Sequence, residues 1–186
     1  VSDDEGFLSE LKQLPEIGNR VMPRAEALAK KLGEEPQYTH FIYLGLGAYY
    51  GMANEGMLKL KEMTQLFAEA FNPMEFRHGP ISVLNENCRV ILLSQSELRS
   101  FEIEVVNDVR RSGAKTVVIG DGLDKFASDE TFELASGLSD KSRAILYLPL
   151  LQYMAYFRTL EMGLNPDKPR NLNQVVVLGS EKEGDR

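Results

Sequence analysis

At 186 residues, 43% of them hydrophobic and 26% charged, the chain suits one well-buried domain and is short for two. A formal net charge of −7 and the absence of Trp argue against a nucleic-acid partner, since phosphate backbones are repelled and no stacking platform is evident. A single cysteine, Cys88, and two histidines offer neither a disulfide nor a metal-ligand set. No apolar run reaches the roughly 18 residues that span a bilayer, and the start Val1-Ser2-Asp3-Asp4-Glu5 is acidic where a signal peptide is basic. The expectation is a cytoplasmic protein with no membrane partner, no metal and no redox cofactor; a start at Val1 hints at a fragment of something longer.

Helical spacing at Leu8, Leu11 and Leu14, then at Val21, Ala25, Leu28 and Leu32, predicts two helices or one broken one, with Pro15 and Pro23 as interruptions or starts. This N-terminal helical segment or linker covers 1–35. After the turn-like Gly33-Glu34-Glu35-Pro36, the run His40 to Leu44 reads as a strand ending in Gly45-Leu46-Gly47. A helix is predicted from about Tyr50 to Phe71. A second strand follows at Arg89 to Leu93, a helix at about Glu97 to Ser112, and a third strand at Thr116 to Ile119, closed by Gly120-Asp121-Gly122. A weaker strand around Phe132 to Leu134 precedes one long apolar helix from about Lys141 to Met162, capped by Gly163. Continuous apolar strands alternating with helices imply a parallel sheet covered on both faces, an α/β fold of three layers. Ligands of such sheets sit beyond the carboxyl ends of the strands, here Gly45 to Gly51, Ser94 to Ser96 and Gly120 to Gly122.

Glu55, Lys59 and Glu62 are spaced by four and three, so a helix carries them along one stripe, which continues to Leu66 and Glu69. By spacing alone the stripe suits an ordinary solvated ion-pair ladder first, and second a polar cleft in which Lys59 pairs with one carboxylate and leaves another free as a base. Arg77-His78-Gly79-Pro80 follows a turn signal at Asn72-Pro73; its histidine is either a surface side chain or an imidazole positioned for proton transfer. His40 has no such setting and reads as structural. Gly45-x-Gly47 between strand and helix could cradle a phosphate, yet it misses the dinucleotide pattern and the Walker lysine, and close strand-to-helix packing explains it as well. Ser94-Gln95-Ser96 offers hydroxyls and N–H groups either to an anion or to a plain helix cap.

Taken in order, Gly51-Met52-Ala53-Asn54-Glu55-Gly56-Met57-Leu58-Lys59-Leu60-Lys61-Glu62, Ala68-Glu69-Ala70, Phe76-Arg77-His78-Gly79-Pro80 and Asp167-Lys168-Pro169-Arg170-Asn171-Leu172 resemble the second SIS (sugar isomerase) domain of the isomerase part of glucosamine-6-phosphate synthases and their relatives. The resemblance runs from Phe41 to Val177 and implies a flavodoxin-like, five-stranded parallel sheet over 36–178, with a disordered tail at 179–186. It implies a phosphosugar isomerase, aminosugar-phosphate deaminase or aminotransferase isomerase domain acting on hexose 6-phosphates. In that role Glu62 moves a proton between C1 and C2, and His78 opens the sugar ring in the site of a neighbouring subunit of a homodimer. Glu55 and Lys59 support them, and Ser94, Gln95 and Ser96 resemble the phosphate loop of the family's first SIS domain, which this chain lacks. Gln174 stands where the synthases carry a tail lysine. Isolated SIS domains also serve as sugar-phosphate sensors, the alternative from another class.

Overall fold

The computed structural model describes residues 4–172. Five strands form one wholly parallel sheet in the order β2-β1-β3-β4-β5: β1 His40–Leu44, β2 Phe67–Phe71, β3 Cys88–Leu93, β4 Lys115–Gly120 and β5 Glu130–Glu133. The helices are α1 Glu5–Leu11, α2 Leu14–Gly33, α3 Ala48–Thr64, α4 Pro73–Phe76, α5 Arg99–Arg111, α6 Asp140–Arg143 and α7 Leu148–Glu161, with 3-10 turns at Pro80–Val83 and Ala144–Tyr147.

The period of two along the strands creates the layers. Phe41, Tyr43, Ile91, Leu93, Val117 and Ile119 face one way and join a core built with α2, α3 and α7. Ile42, Leu44, Val90, Leu92 and Val118 face the other way, under Val105, Val106 and Val109 of α5 and Phe76 of α4. The expected three-layer α/β sandwich is therefore the observed one, and its central strands are apolar on both faces because both faces are covered.

Within the N-terminal segment, helix α2 is docked on that core. Helix α2 runs unbroken through Pro23 and buries Ile17, Val21, Ala25, Ala29 and Leu32, all in the first core. Arg158 of α7, only 3% exposed, locks the α2–β1 connection by donating to the carbonyls of Glu35 at 3.1 Å, Pro36 at 3.1 Å and Tyr38 at 3.0 Å.

Two predicted helices are corrected. The helix expected to reach Phe71 stops at Thr64, whose hydroxyl donates to the Leu60 carbonyl at 2.6 Å and accepts the Leu66 N–H at 3.2 Å, while Gln65 turns left-handed at φ 56°. Phe67–Phe71 becomes the edge strand, in register with β1, so Glu69 leaves the stripe of Glu55 and Glu62 and meets His40 at 2.9 Å instead. Ala and Glu favour helix locally, and pairing with a ready-made strand overrides that preference. The helix expected over Lys141–Met162 is divided into α6, a 3-10 turn and α7, with Pro149 in the first turn of α7, where its missing N–H costs nothing. Its end is as expected: Gly163 N–H bonds to the Leu160 carbonyl at 2.9 Å and Leu164 N–H to that of Thr159 at 3.0 Å, a complete Schellman closure.

Arg158→Leu should lower unfolding free energy by about 3 kcal/mol, since it leaves three carbonyls without their donor. Urea denaturation of the two proteins measures this; a loss below about 0.5 kcal/mol would mean that water replaces the guanidinium.

Candidate functional site

Helix α3 leaves the carboxyl end of β1 and runs back along the sheet. Its start demands a close approach: a Cβ on Gly45 would run into the backbone carbonyl of Tyr49, and Gly47 takes a φ of 56°. Both glycines thus have a backbone reason to be glycine, and Gly45 is buried.

Further along α3 the stripe forms as its spacing requires. Lys59 Nζ lies 3.9 Å from Glu55 Oε1 and 3.4 Å from Glu62 Oε2, and the three side chains are all about one-third exposed, at 36%, 31% and 32%. These are partly sheltered charges rather than a free surface ladder. The helix end beside Glu62 meets the C-terminal segment: Met63 and Gln65 line a cavity of about 210 Å³ with Leu164, Asn165, Lys168, Pro169 and Arg170. The tail motif therefore comes to the helix that carries the stripe. Gln174 lies outside the described residues.

His78 sits elsewhere. It follows α4 in a tight turn, with its N–H bonded to the Glu75 carbonyl at 3.0 Å, and its side chain is exposed. Arg77 anchors the turn to α5 through Asp108 at 2.7 Å and Glu104 at 3.2 Å. Since α3 packs on the core that contains Phe41 and Tyr43 while Phe76 of α4 packs on the core that contains Ile42 and Leu44, Glu62 and His78 ride on elements covering opposite faces of the sheet. One chain does not bring them together.

A third cluster lies at the carboxyl ends of β1, β3 and β4, where the sequence points to Gly45 and Gly47, to Ser94 to Ser96 and to Gly120 to Gly122. Ser94, fully buried, donates its hydroxyl to Glu102 at 2.6 Å, and the Gln95 N–H is shared between both Glu102 oxygens at 3.1 Å. The Gln95 side-chain amide donates to the Leu46 carbonyl at 2.5 Å, which ties the β3 loop to the β1 loop. Ser96 is held by Asp140 and Arg143. Sequence reasoning missed Glu102, Asp140 and Arg143. A carboxylate eight residues after Ser94, inside an otherwise apolar helix face, was the one local signal for Glu102.

Glu102 is 1% exposed, and burial pushes its carboxyl up to about 7, against the hydrogen bonds from Ser94 and Gln95 that favour the charged form. It also lines an apolar cavity of about 290 Å³ with Leu46, Pro73, Met74, Leu98 and Phe101. Among the described residues, no three His, Cys, Asp or Glu side chains gather as a metal site, and no helix is long and apolar enough to cross a membrane.

A family model of the SIS domain matches residues 37–159. The chain belongs to the SIS domain family. This SIS domain is 31% identical over 172 residues to the isomerizing glutamine–fructose-6-phosphate aminotransferase of Sulfurisphaera tokodaii, covering 92% of the chain and 28% of that relative. It is 35% identical over 160 residues to the corresponding aminotransferase of Sulfolobus acidocaldarius, covering 86% of the chain and 27% of the relative. The SIS domain thus spans little more than a quarter of the curated proteins it matches. Among solved structures it resembles the C-terminal domain of a glucosamine-fructose-6-phosphate aminotransferase from Francisella tularensis, with TM-score 0.73, 25% identity, and 87% of this chain against 45% of that one. A glucosamine-6-phosphate deaminase from Thermotoga maritima gives TM-score 0.69 and 28% identity, over 84% of this chain and 47% of that one. A tagatose-6-phosphate ketose/aldose isomerase from Escherichia coli, at TM-score 0.77 and 23% identity over 91% and 47% of the two chains, shares the fold.

The Glu102 carboxyl sets a pH dependence of stability. Burial lets the folded state keep this proton above the ordinary value of 4.5, so between 4.5 and about 7 the folded chain binds more protons than the unfolded one. Stability from this group is full below 4.5 and is lost as pH rises through about 7. Relative to Glu102→Gln, the wild type should lose on the order of 3 kcal/mol across that window, measurable by urea titrations at either end. A flat difference would mean that the carboxyl is solvated in the folded state.

Proposed function

We propose that this SIS domain is one half of a phosphosugar isomerase-type catalytic unit acting on hexose 6-phosphates, with Glu62 as its base. The observation that carries the reading is the Glu55–Lys59–Glu62 cluster, partly sheltered on α3 beside the tail segment Leu164 to Arg170. Its relatives, an isomerizing aminotransferase and an aminosugar-phosphate deaminase, share one chemical need: a proton must move between neighbouring carbons of a sugar phosphate. A carboxylate meets that need. Glu62 takes the proton from C1 of the open-chain ketose, the electron pair passes to the C2 oxygen as an enediolate, and returning the proton to C2 yields the aldose as the C1 hydroxyl passes its own proton to the C2 oxygen.

Lys59, bonded to Glu62 at 3.4 Å and 3.9 Å from Glu55, is a positioning residue that fixes the base along the helix. His78 is the ring-opening acid and base, presented from the other face of the sheet to the site of a neighbouring subunit in a homodimer. Its exposure, and the two ion pairs that hold Arg77 beside it, support an outward-presented imidazole.

Glu62→Gln should reduce proton exchange at C1 of fructose 6-phosphate, followed by deuterium incorporation, by about a thousandfold while leaving the melting temperature nearly unchanged. Mixed dimers of Glu62→Gln and His78→Asn chains should recover activity that neither variant has alone, because one of their two sites then holds both wild-type residues. Undiminished exchange in Glu62→Gln removes the base assignment. Saturable binding of the sugar phosphate with no turnover by the wild type makes the domain a sensor instead.

A further inference from the structure

At the amino ends of β3, β4 and β5, away from the loops where a parallel sheet ordinarily holds its ligand, one charged side chain interrupts an apolar strand. Every residue of Cys88–Leu93 is buried, and among them is Arg89, 3% exposed. The period of two turns it to the same face as Ile91, toward the end of α2. Its Nη1 donates to the Leu32 carbonyl at 2.6 Å, its Nη2 pairs with the Glu35 carboxylate, and its guanidinium lies 4.0 Å from the centre of the Tyr38 ring. Its Nε–H is buried and meets no acceptor among the described residues. Arg89 also borders a cavity of about 240 Å³ with Glu35, Tyr38, Lys115, Asp129 and Glu130.

A guanidinium is hard to take out of water, and an apolar residue would suit this strand better, so its place in β3 calls for a reason. Arg158 supplies the comparison. It is equally buried, but its bonds go to the main-chain carbonyls of Glu35, Pro36 and Tyr38, which cannot leave. The anionic partner of Arg89 is a loop side chain one-third exposed, which can.

We propose that this cavity binds a small free α-amino acid, which inserts into the Arg89–Glu35 pair with its carboxylate on Arg89 and its ammonium group on Glu35 and Glu130. The inference stands apart from the phosphosugar reading.

Charge and size select the ligand. Lys31 pairs with Glu130, and Lys115 with Asp129 at 2.8 Å, so the cations Lys31, Arg89 and Lys115 balance the carboxylates Glu35, Asp129 and Glu130. A lone anion or cation leaves a net charge in a partly closed space, whereas a zwitterion brings one of each. Asp129 is committed, since it also accepts the Thr116 N–H at 2.9 Å and hydroxyl at 2.8 Å. Glu35 and Glu130, each about one-third exposed, are the carboxylates able to turn to an ammonium group. The volume falls below the roughly 300–1,000 Å³ of sites for drug-sized ligands, and Tyr38 and Val117 on the wall favour a small aliphatic side chain.

The test is direct binding, with no turnover required. L-alanine, acetate and ethylammonium are titrated separately into the 15N-labelled protein while the amide signals of Tyr38, Lys115 and Thr116 are followed. L-alanine should give saturable shifts with a Kd on the order of 1 mM, at least about tenfold tighter than either half-ligand. Glu130→Gln should weaken L-alanine by about tenfold and leave acetate unchanged, and Arg89→Leu should abolish the response to both. If Arg89→Leu fails to fold, Glu35→Gln takes its place, at an exposed loop position, and should also weaken L-alanine. No saturable shift with L-alanine up to about 50 mM overturns the proposal. So does acetate binding as tightly as L-alanine, which makes this an anion site only, or L-alanine binding that both Glu130→Gln and Glu35→Gln leave unchanged. Glu62 enters none of these outcomes, so the base assignment and the amino-acid site fail separately.

Discussion

A parallel sheet cannot leave either face to water, because every crossover helix must lie on one of them, and this requirement arranges everything else in the SIS domain. Phe41 and Tyr43 look toward α2, α3 and α7, while Ile42 and Leu44 look toward α4 and α5. The stripe on α3 and the histidine turn after α4 are only one edge strand apart in sequence, yet β2 carries the chain from one layer to the other. The catalytic pairing of Glu62 with His78 proposed above would thus need a second chain.

The carboxyl edge of the sheet is organised by a different force. Arg143, Tyr147, Asp140, Glu102 and the Ser94–Ser96 loop form a hydrogen-bonded network, buried at Ser94, Glu102, Arg143 and Tyr147 and open to solvent at Ser96, that joins the loops after β1 and β3 to α6. Buried donors and acceptors are expensive when unpaired, so a network this complete resists opening. It gives the α3 start a rigid base through the Tyr49 hydroxyl, and rigidity there fixes where the stripe seven and more residues later is presented. The charged groups of the two clusters therefore have contrasting roles. Those of the edge network are satisfied inwardly, and those of the α3 stripe stay about one-third exposed to meet something outside.

Most of the fold was legible because burial on both faces writes long apolar runs into strands such as Cys88–Leu93, and helices between them alternate at regular intervals. Phe67–Phe71 was not legible. Two alanines and a glutamate read as a continuing helix, and the strand exists because β1 offers it a full row of hydrogen bonds. The division of the segment before Met162 is a similar case: apolar content runs through it unchanged, while Pro149 and the buried placement of Tyr147 decide where the helix restarts.

The site was legible as residues and only partly as places. By itself the sequence determined which side chains share the α3 stripe, because a helix of fixed pitch converts spacings of four and three into adjacency without further information. It also determined the glycines at the α3 start and the turn that carries His78. Only the tertiary structure decided that Glu62 and His78 stand on opposite layers, that the tail segment comes to the end of α3, and that Ser94, Gln95 and Ser96 already hold Glu102 and Asp140. Each of these depends on contacts between residues far apart in the chain, and no local periodicity records which distant acceptor a donor will find.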